Sequence, residues 1–242
     1  MMRCLAFFGM LLSIALFATC ASFADDGQQK PHSIAVVSQF ETTMFKIRVG
    51  LTIFNNSEET RDVPAWHIAE TSEADMVALL KQRGVAGNIQ VLRQTGPRAR
   101  AGGGKDAEQA AIIQTAHDAG FDTLVLIQPN ENETFREFKP GYGVGAVGHI
   151  MGLDVCPYAA FMVVVYRTSD AKRIDWRWGY SSLNNPFDFD SRGPCTDFEK
   201  LPVPWKDSLA AYTDEDLTTV EAAVKERIRT GMARALDGLD LE

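Results

Sequence analysis

Only four of the 242 residues are cysteine and four are histidine, and no long apolar run follows residue 24. Each shortage excludes a chemistry. His32, His67, His117 and His149 never fall at the H-x-H or H-x-x-x-H spacing that brings two imidazoles onto one zinc ion, so a local zinc site is excluded. No two cysteines form a CxxC pair, which excludes the usual thiol–disulfide exchange motif. The chain has no G-x-S-x-G, so it lacks the nucleophile elbow of α/β hydrolases. Ser169-Asp170-Ala171-Lys172 matches S-x-x-K, but it reads as a turn between two strands, and neither SDN nor KTG occurs elsewhere. Gly102-Gly103-Gly104-Lys105 lacks both the earlier glycine and the following Ser/Thr of a phosphate-binding loop. Basic residues are also scarce: 24 Lys and Arg face 32 Asp and Glu, a net charge of −8. A nucleic-acid phosphate backbone needs basic surface, so no nucleic-acid partner is expected. Arg93, Arg98, Arg100 and Lys105 form one local basic stretch, read as a solvated loop.

The N-terminus, by contrast, carries a pattern. Met1-Met2-Arg3 supplies a short positive start, Leu5 to Thr19 is an uncharged and mostly apolar run of 15 residues, and Ser22-Phe23-Ala24 places small residues before Asp25-Asp26. These are the three parts of an export signal. The apolar run is shorter than the roughly 17–25 residues of a spanning helix. Phe17-Ala18-Thr19 before Cys20 departs from the Leu-Ala-Gly-Cys pattern of lipidated signals. The expectation is a cleaved signal peptide at 1–24, a flexible lead-in at 25–32 and a single α/β domain at 33–242. The protein is then periplasmic or secreted, with no integral membrane span after cleavage. Signal removal takes away Arg3 and makes the mature chain one unit more acidic. It also removes Cys4 and Cys20, leaving Cys156 and Cys195 as an even pair in an oxidising compartment. Their separation of 39 residues gives one disulfide worth about 4 kcal/mol in the chain-entropy picture.

Ser33 to Phe40 reads as a strand. Phe45, Ile47, Val49, Leu51 and Ile53 alternate along a second, and the short Glu41-Thr42-Thr43 link predicts a hairpin between them. Asn55 to Arg61 reads as a polar turn. A helix is expected from Thr71 or Ser72, with Asp75 closing a capping box, Met76, Leu79 and Leu80 as its apolar stripe and Gly84 as its stop. Ile89–Leu92 is a short strand, and 95–104 a Gly- and Arg-rich loop. A helix from Asp106 ends at Gly120. Thr123–Ile127 is apolar without alternation, as in a strand covered on both faces. Asn130 to Gly145 reads as a long loop. Tyr158–Arg167 and Arg173–Tyr180 form the clearest hairpin, with Ile174, Trp176, Trp178 and Tyr180 facing one way. A last helix begins near Thr213, with Asp216 completing its box and Leu217, Val220, Val224, Ile228, Met232 and Leu236 facing the core. The order β-β-α-β-α-β-β-β-α predicts one mixed sheet with packed helices.

Two segments imitate binding motifs. Gly143-Val144-Gly145-Ala146-Val147-Gly148 matches G-x-G-x-x-G, but no helix can start before Pro157, so it reads as a loop or a glycine-rich edge strand. Asp188, Asp190, Gly193 and Glu199 occupy positions 1, 3, 6 and 12 of a calcium loop, but Arg192 stands where a fifth-position ligand belongs. Asp188, Asp190 and Glu199 are the ligands such a loop would use; no metal and no cofactor is expected. The Trp176, Trp178 and Tyr180 row would serve a sugar or a peptide if exposed, and the core if covered.

The strand Ser33–Ser38, the segment Ala119–Ile127, the Gly141–Gly148 run and the strand Ala159–Arg167 with its turn before Arg173 resemble uncharacterised proteobacterial exported proteins. At fold level they resemble the periplasmic domain of curli secretion channel proteins and the N-terminal domain of TolB. The resemblance implies an α/β sandwich acting in envelope assembly or partner binding without catalysis, and it carries over no functional residue. The expected function is therefore an exported, non-enzymatic binding or envelope-associated module, its partner an envelope protein or a small ligand. The competing expectation is a secreted hydrolase whose site is assembled in space around His67, His117 or His149.

Overall fold

Ser33–Ser38 (β1), with all but its first residue buried, can sit only at the centre of a sheet. In the computed structural model, which describes residues 33–50, 56–85, 87–93, 105–129, 138–149, 152–179, 200–239 and 241, it does. The other strands are Thr43–Val49 (β2), Ser57–Asp62 (β3), Asn88–Val91 (β4), Thr123–Pro129 (β5), Gly141–His149 (β6), Gly152–Arg167 (β7) and Lys172–Trp178 (β8). The helices are Ile68–Gln82 (α1), Lys105–Asp118 (α2) and Asp214–Asp237 (α3). The strands form one mixed sheet in the order β3-β2-β6-β7-β5-β1-β4, with β8 bonded to β7. The α/β class and the single mixed sheet are as the residue pattern predicts, with two strands more than its order contained. One compact unit spans Pro31–Glu242; the other, Met1–Lys30, lies outside the described residues.

The β1-α1-β4-α2-β5 segment is doubly wound. β1 pairs in parallel with β4 on one side and with β5 on the other. Ile34, Val36, Val125, Ile127, Phe161, Val163 and Val165 face Met76, Leu79 and Leu80 of α1 and the Leu217–Leu236 stripe of α3. The opposite face, Ala35, Val37, Leu124, Leu126, Val164 and Tyr166, packs on Ile112, Ile113 and Ala116 of α2. β7 is long enough to serve two partners in succession: Gly152–Ala160 pairs with β6, and Phe161–Arg167 with β5.

The predicted β1–β2 hairpin does not form. β1 bonds to β4 and β5, while β2 bonds to β3 antiparallel and to β6 in parallel. The link that looked like a turn instead carries the chain into the other half of the sheet. Gln39 donates its N–H to Ile127 O at 2.8 Å, and Thr42 O accepts from Val63 N–H at 2.8 Å. Phe40 fills the junction with edge-on contacts to Tyr142 (5.7 Å) and Phe161 (5.5 Å). In doubly wound sheets the ligand crevice opens beyond the carboxyl end of the central strand. Here that end is occupied by Phe40 and its aromatic neighbours.

The segment expected as a polar turn is largely strand β3. Its polarity reflects an edge position: Glu58, Glu59, Arg61 and Asp62 charge an edge strand, which discourages pairing with other chains. The long loop expected through Gly145 is likewise strand from Gly141 on. The G-x-G-x-x-G run is therefore neither a loop nor an edge strand, but an interior strand between β2 and β7. Helix α1 starts before the Thr71/Ser72 cap, at Ile68, with His67 as its N-cap at φ 48°. Burying Trp66, Ile68 and Ala69 outweighs a capping side chain, and Ser72 Oγ donates to Ile68 O at 2.7 Å inside the helix. Gly84 (φ 74°) and Gly120 (φ 83°) end α1 and α2 as expected. The α3 box also forms, with Asp216 N–H on Thr213 Oγ1 at 3.1 Å and Thr213 N–H on Asp216 Oδ2 at 3.0 Å.

α3 approaches the sheet closely at Gly231. A Cβ there would lie 2.1 Å from Gly179 O, just past the end of β8. Helical glycine normally costs about 1 kcal/mol against alanine; here the contact demands it.

Candidate binding face

The predicted Trp row is half assembled. A β-bulge between Val165 and Tyr166 of β7 breaks the alternation of β8. Ile174 consequently turns to the α1/α3 face and packs on that core, not beside the tryptophans. Trp176 and Trp178 do share a face, their rings edge-on at 5.0 Å and 80°. Both are half-buried. Trp176 packs at the margin of the α2 core, and Trp178 on the next cluster along the sheet. Tyr180, the third member, lies outside the described residues, as do Cys195, Asp188, Asp190 and Glu199.

That next cluster contains Ile47, Phe138, Cys156, Tyr158 and Ala160, with Phe45, Val49, Val147 and Trp178 packed against it. None of its members belongs to a helix, whereas the neighbouring half of the same face lies under α2. Its middle is made by β6. Gly143 lies in register with Phe45 on one side and Tyr158 on the other, and Gly145 with Ile47 and Cys156. The glycines leave the aromatic rings of the flanking strands over bare backbone, with the Phe45 ring 3.2 Å from where a Gly141 Cβ would sit.

Tyr158 is the polar element of this cluster that sequence reasoning missed. Its ring meets Phe138 edge-on at 5.1 Å. Its side chain is fully buried, and its hydroxyl has no hydrogen-bond partner among the described residues. Burial first, and then the charge of Glu58, push the phenol well above its ordinary range. The hydroxyl therefore stays protonated and able to donate. The alternation of β7 placed Tyr158 on this face, but no spacing rule shows whether a buried hydroxyl is partnered.

The two histidines whose side chains are described, His67 and His117, are not brought together. His67 caps α1, which packs on one face of the sheet, and His117 lies in the last turn of α2, on the other. The His149 side chain and His32 are outside the described residues. Among the described residues no three His, Cys, Asp or Glu side chains are grouped to hold a metal ion, and no helix is long and apolar enough to cross a membrane.

A second cluster lies on the α1/α3 face. Lys46 of β2 is 3% exposed, with Nζ 2.7 Å from Glu59 Oε1, 2.9 Å from Asp207 O and 4.6 Å from the centre of the Trp205 ring. Glu59 Oε2 also accepts from Leu209 N–H at 2.7 Å. Every donor is matched, so this is a clasp binding the segment before α3 to the sheet edge. No protein-family model matches the chain, and no curated protein does.

Proposed function

We propose that the protein is an exported, non-enzymatic binding module of the cell envelope, and that Trp176 and Trp178 provide its contact surface. The observation that carries this reading is the pair itself: two half-buried indoles edge-on at 5.0 Å on a strand bonded to β7. Tryptophans anchor binding surfaces because they join large apolar area to a polar edge. Arg177 and Asp175, which alternate with them, form their ion pair on the opposite, α3-facing side of β8. The resemblance to curli-channel and TolB domains supports the envelope assignment, and the signal pattern of residues 1–24 supports export. Nothing among the described residues supports the alternative of a hydrolase site around His67, His117 or His149.

Capture from intact envelopes tests the reading. The wild-type chain should recover a reproducible partner or ligand that W176A/W178A loses, while the variant keeps wild-type far-UV circular dichroism. Equal recovery by both chains would remove the tryptophans from the contact surface. Failure of either to recover anything would remove the binding role.

We further propose that Cys156 pairs with Cys195. Cys156 is buried on the sheet face that carries Trp178, where an exported protein gains stability from a covalent tie. Intact mass should rise by two hydrogens on reduction. An unchanged mass would leave the cysteines unpaired.

A further inference from the structure

We infer that the Tyr158 hydroxyl anchors a ligand site on the half of the sheet face that no described helix covers, and that the site takes a small neutral molecule with an apolar body and one hydrogen-bond acceptor. The inference rests on the binding role proposed above and names the chemistry of what is bound. Buried hydroxyls in folded proteins are almost always satisfied, so a fully buried one without a partner calls for an explanation. Here it lies among Phe138, Ile47, Ala160 and Phe45, beside β6, whose Gly143 and Gly145 carry no side chain between their partners on β2 and β7. This is the make-up of a small-molecule site, mostly apolar lining with one placed polar group. The phenol acts as donor, which selects an acceptor on the ligand. Glu58, the charge that reaches Tyr158, is paired with Lys139 at 3.4 Å, so no uncompensated charge of either sign favours an ionic ligand there. Trp178 packs on the same cluster, and so reports on it.

Acetophenone and ethylbenzene are nearly equal in size, and of the two only acetophenone carries an acceptor. Fluorine NMR of the protein labelled with 5-fluorotryptophan, its Trp178 resonance assigned with W178F, reads the binding of each. Acetophenone should shift that resonance and bind about fivefold to tenfold more tightly than ethylbenzene, the worth of one hydrogen bond. In Y158F the preference should vanish. The unliganded variant should also melt higher by roughly 2–4 °C, because it buries no unmatched hydroxyl. Equal affinities in the wild type, a Trp178 signal indifferent to both probes, or a lower melting temperature in Y158F would each overturn the inference. The comparison of probes on the wild type needs no variant to fold. None of these outcomes alters the envelope capture by W176A/W178A, so failure of the ligand chemistry is distinguishable from failure of the binding role.

Discussion

Replacing Gly143 with alanine should cost about 3–5 kcal/mol, the sum of overpacking against fixed atoms and a strained backbone. Its Cβ would lie 1.8 Å from Phe45 O and 2.8 Å from Phe45 N and C. All three are backbone atoms of the parallel neighbour β2, so no rotamer change relieves the contact. The φ of 155° adds a conformation that alanine rarely adopts. Against a typical domain stability of about 5–15 kcal/mol, such a loss brings the chain close to unfolding. Gly84→Ala is the matched control: its φ of 74° is also positive, but nothing lies within 4 Å of the added carbon. That variant should lose about 1 kcal/mol, the conformational part alone. Urea unfolding of both separates the two contributions, and equal midpoints would mean that β2 and β6 do not approach so closely at Gly143.

Gly143 also shows where sequence reading stopped. The run was visible as G-x-G-x-x-G, and its failure as a nucleotide loop followed from the absence of a helix after it. Its real role depends on which strands lie to either side, and local spacing does not encode neighbours. β3 is the same case. Ser57–Asp62 has no apolar residue to betray a strand, and only pairing with β2 at the sheet edge makes it one. The β1–β2 hairpin failed because a short linker permits reversal without requiring it, and the parallel partners of β1 were stronger claimants. What was legible was periodic and complete within one element: the α3 stripe with its Thr213/Asp216 box, the doubly covered β5, and the β7–β8 hairpin. Even there the Trp row was over-extended, because a bulge shifts alternation by one residue and turned Ile174 to the other face. On the candidate face, Trp176 and Trp178 could be read from the chain. Tyr158 could be placed there, but its unmatched hydroxyl could not be read, because satisfaction of a buried group depends on atoms far away in sequence.

Lys46 was equally hidden, one of two cations with Arg48 on the less apolar face of β2, and its removal and that of its partner should have unequal effects. Glu59→Ala should cost about 3 kcal/mol, the low end for leaving a buried charge unpaired. Asp207 O and the Trp205 ring remain to hold part of the ammonium, which keeps the loss from the upper range. Lys46→Met should cost little, because the thioether fills the stem's place and Glu59, about a third exposed, regains water. The double variant K46M/E59A should then recover most of what E59A loses, a coupling that thermal or urea unfolding of the full cycle measures. Equal losses for the two single variants would show that the pair is not desolvated. The same cluster predicts an acid limit. Burial raises the Glu59 pKa, but the hydrogen bonds from Lys46 and from Leu209 N–H, with the lysine charge, outweigh it and hold the group below its ordinary 4.5. A carboxylate with a depressed folded-state pKa contributes its full stabilisation above the unfolded value and loses it as pH falls through the folded one. Wild-type stability should therefore drop below about pH 4.5 more steeply than that of K46M/E59A. Parallel pH profiles for the two proteins would place the acid-sensitive groups elsewhere.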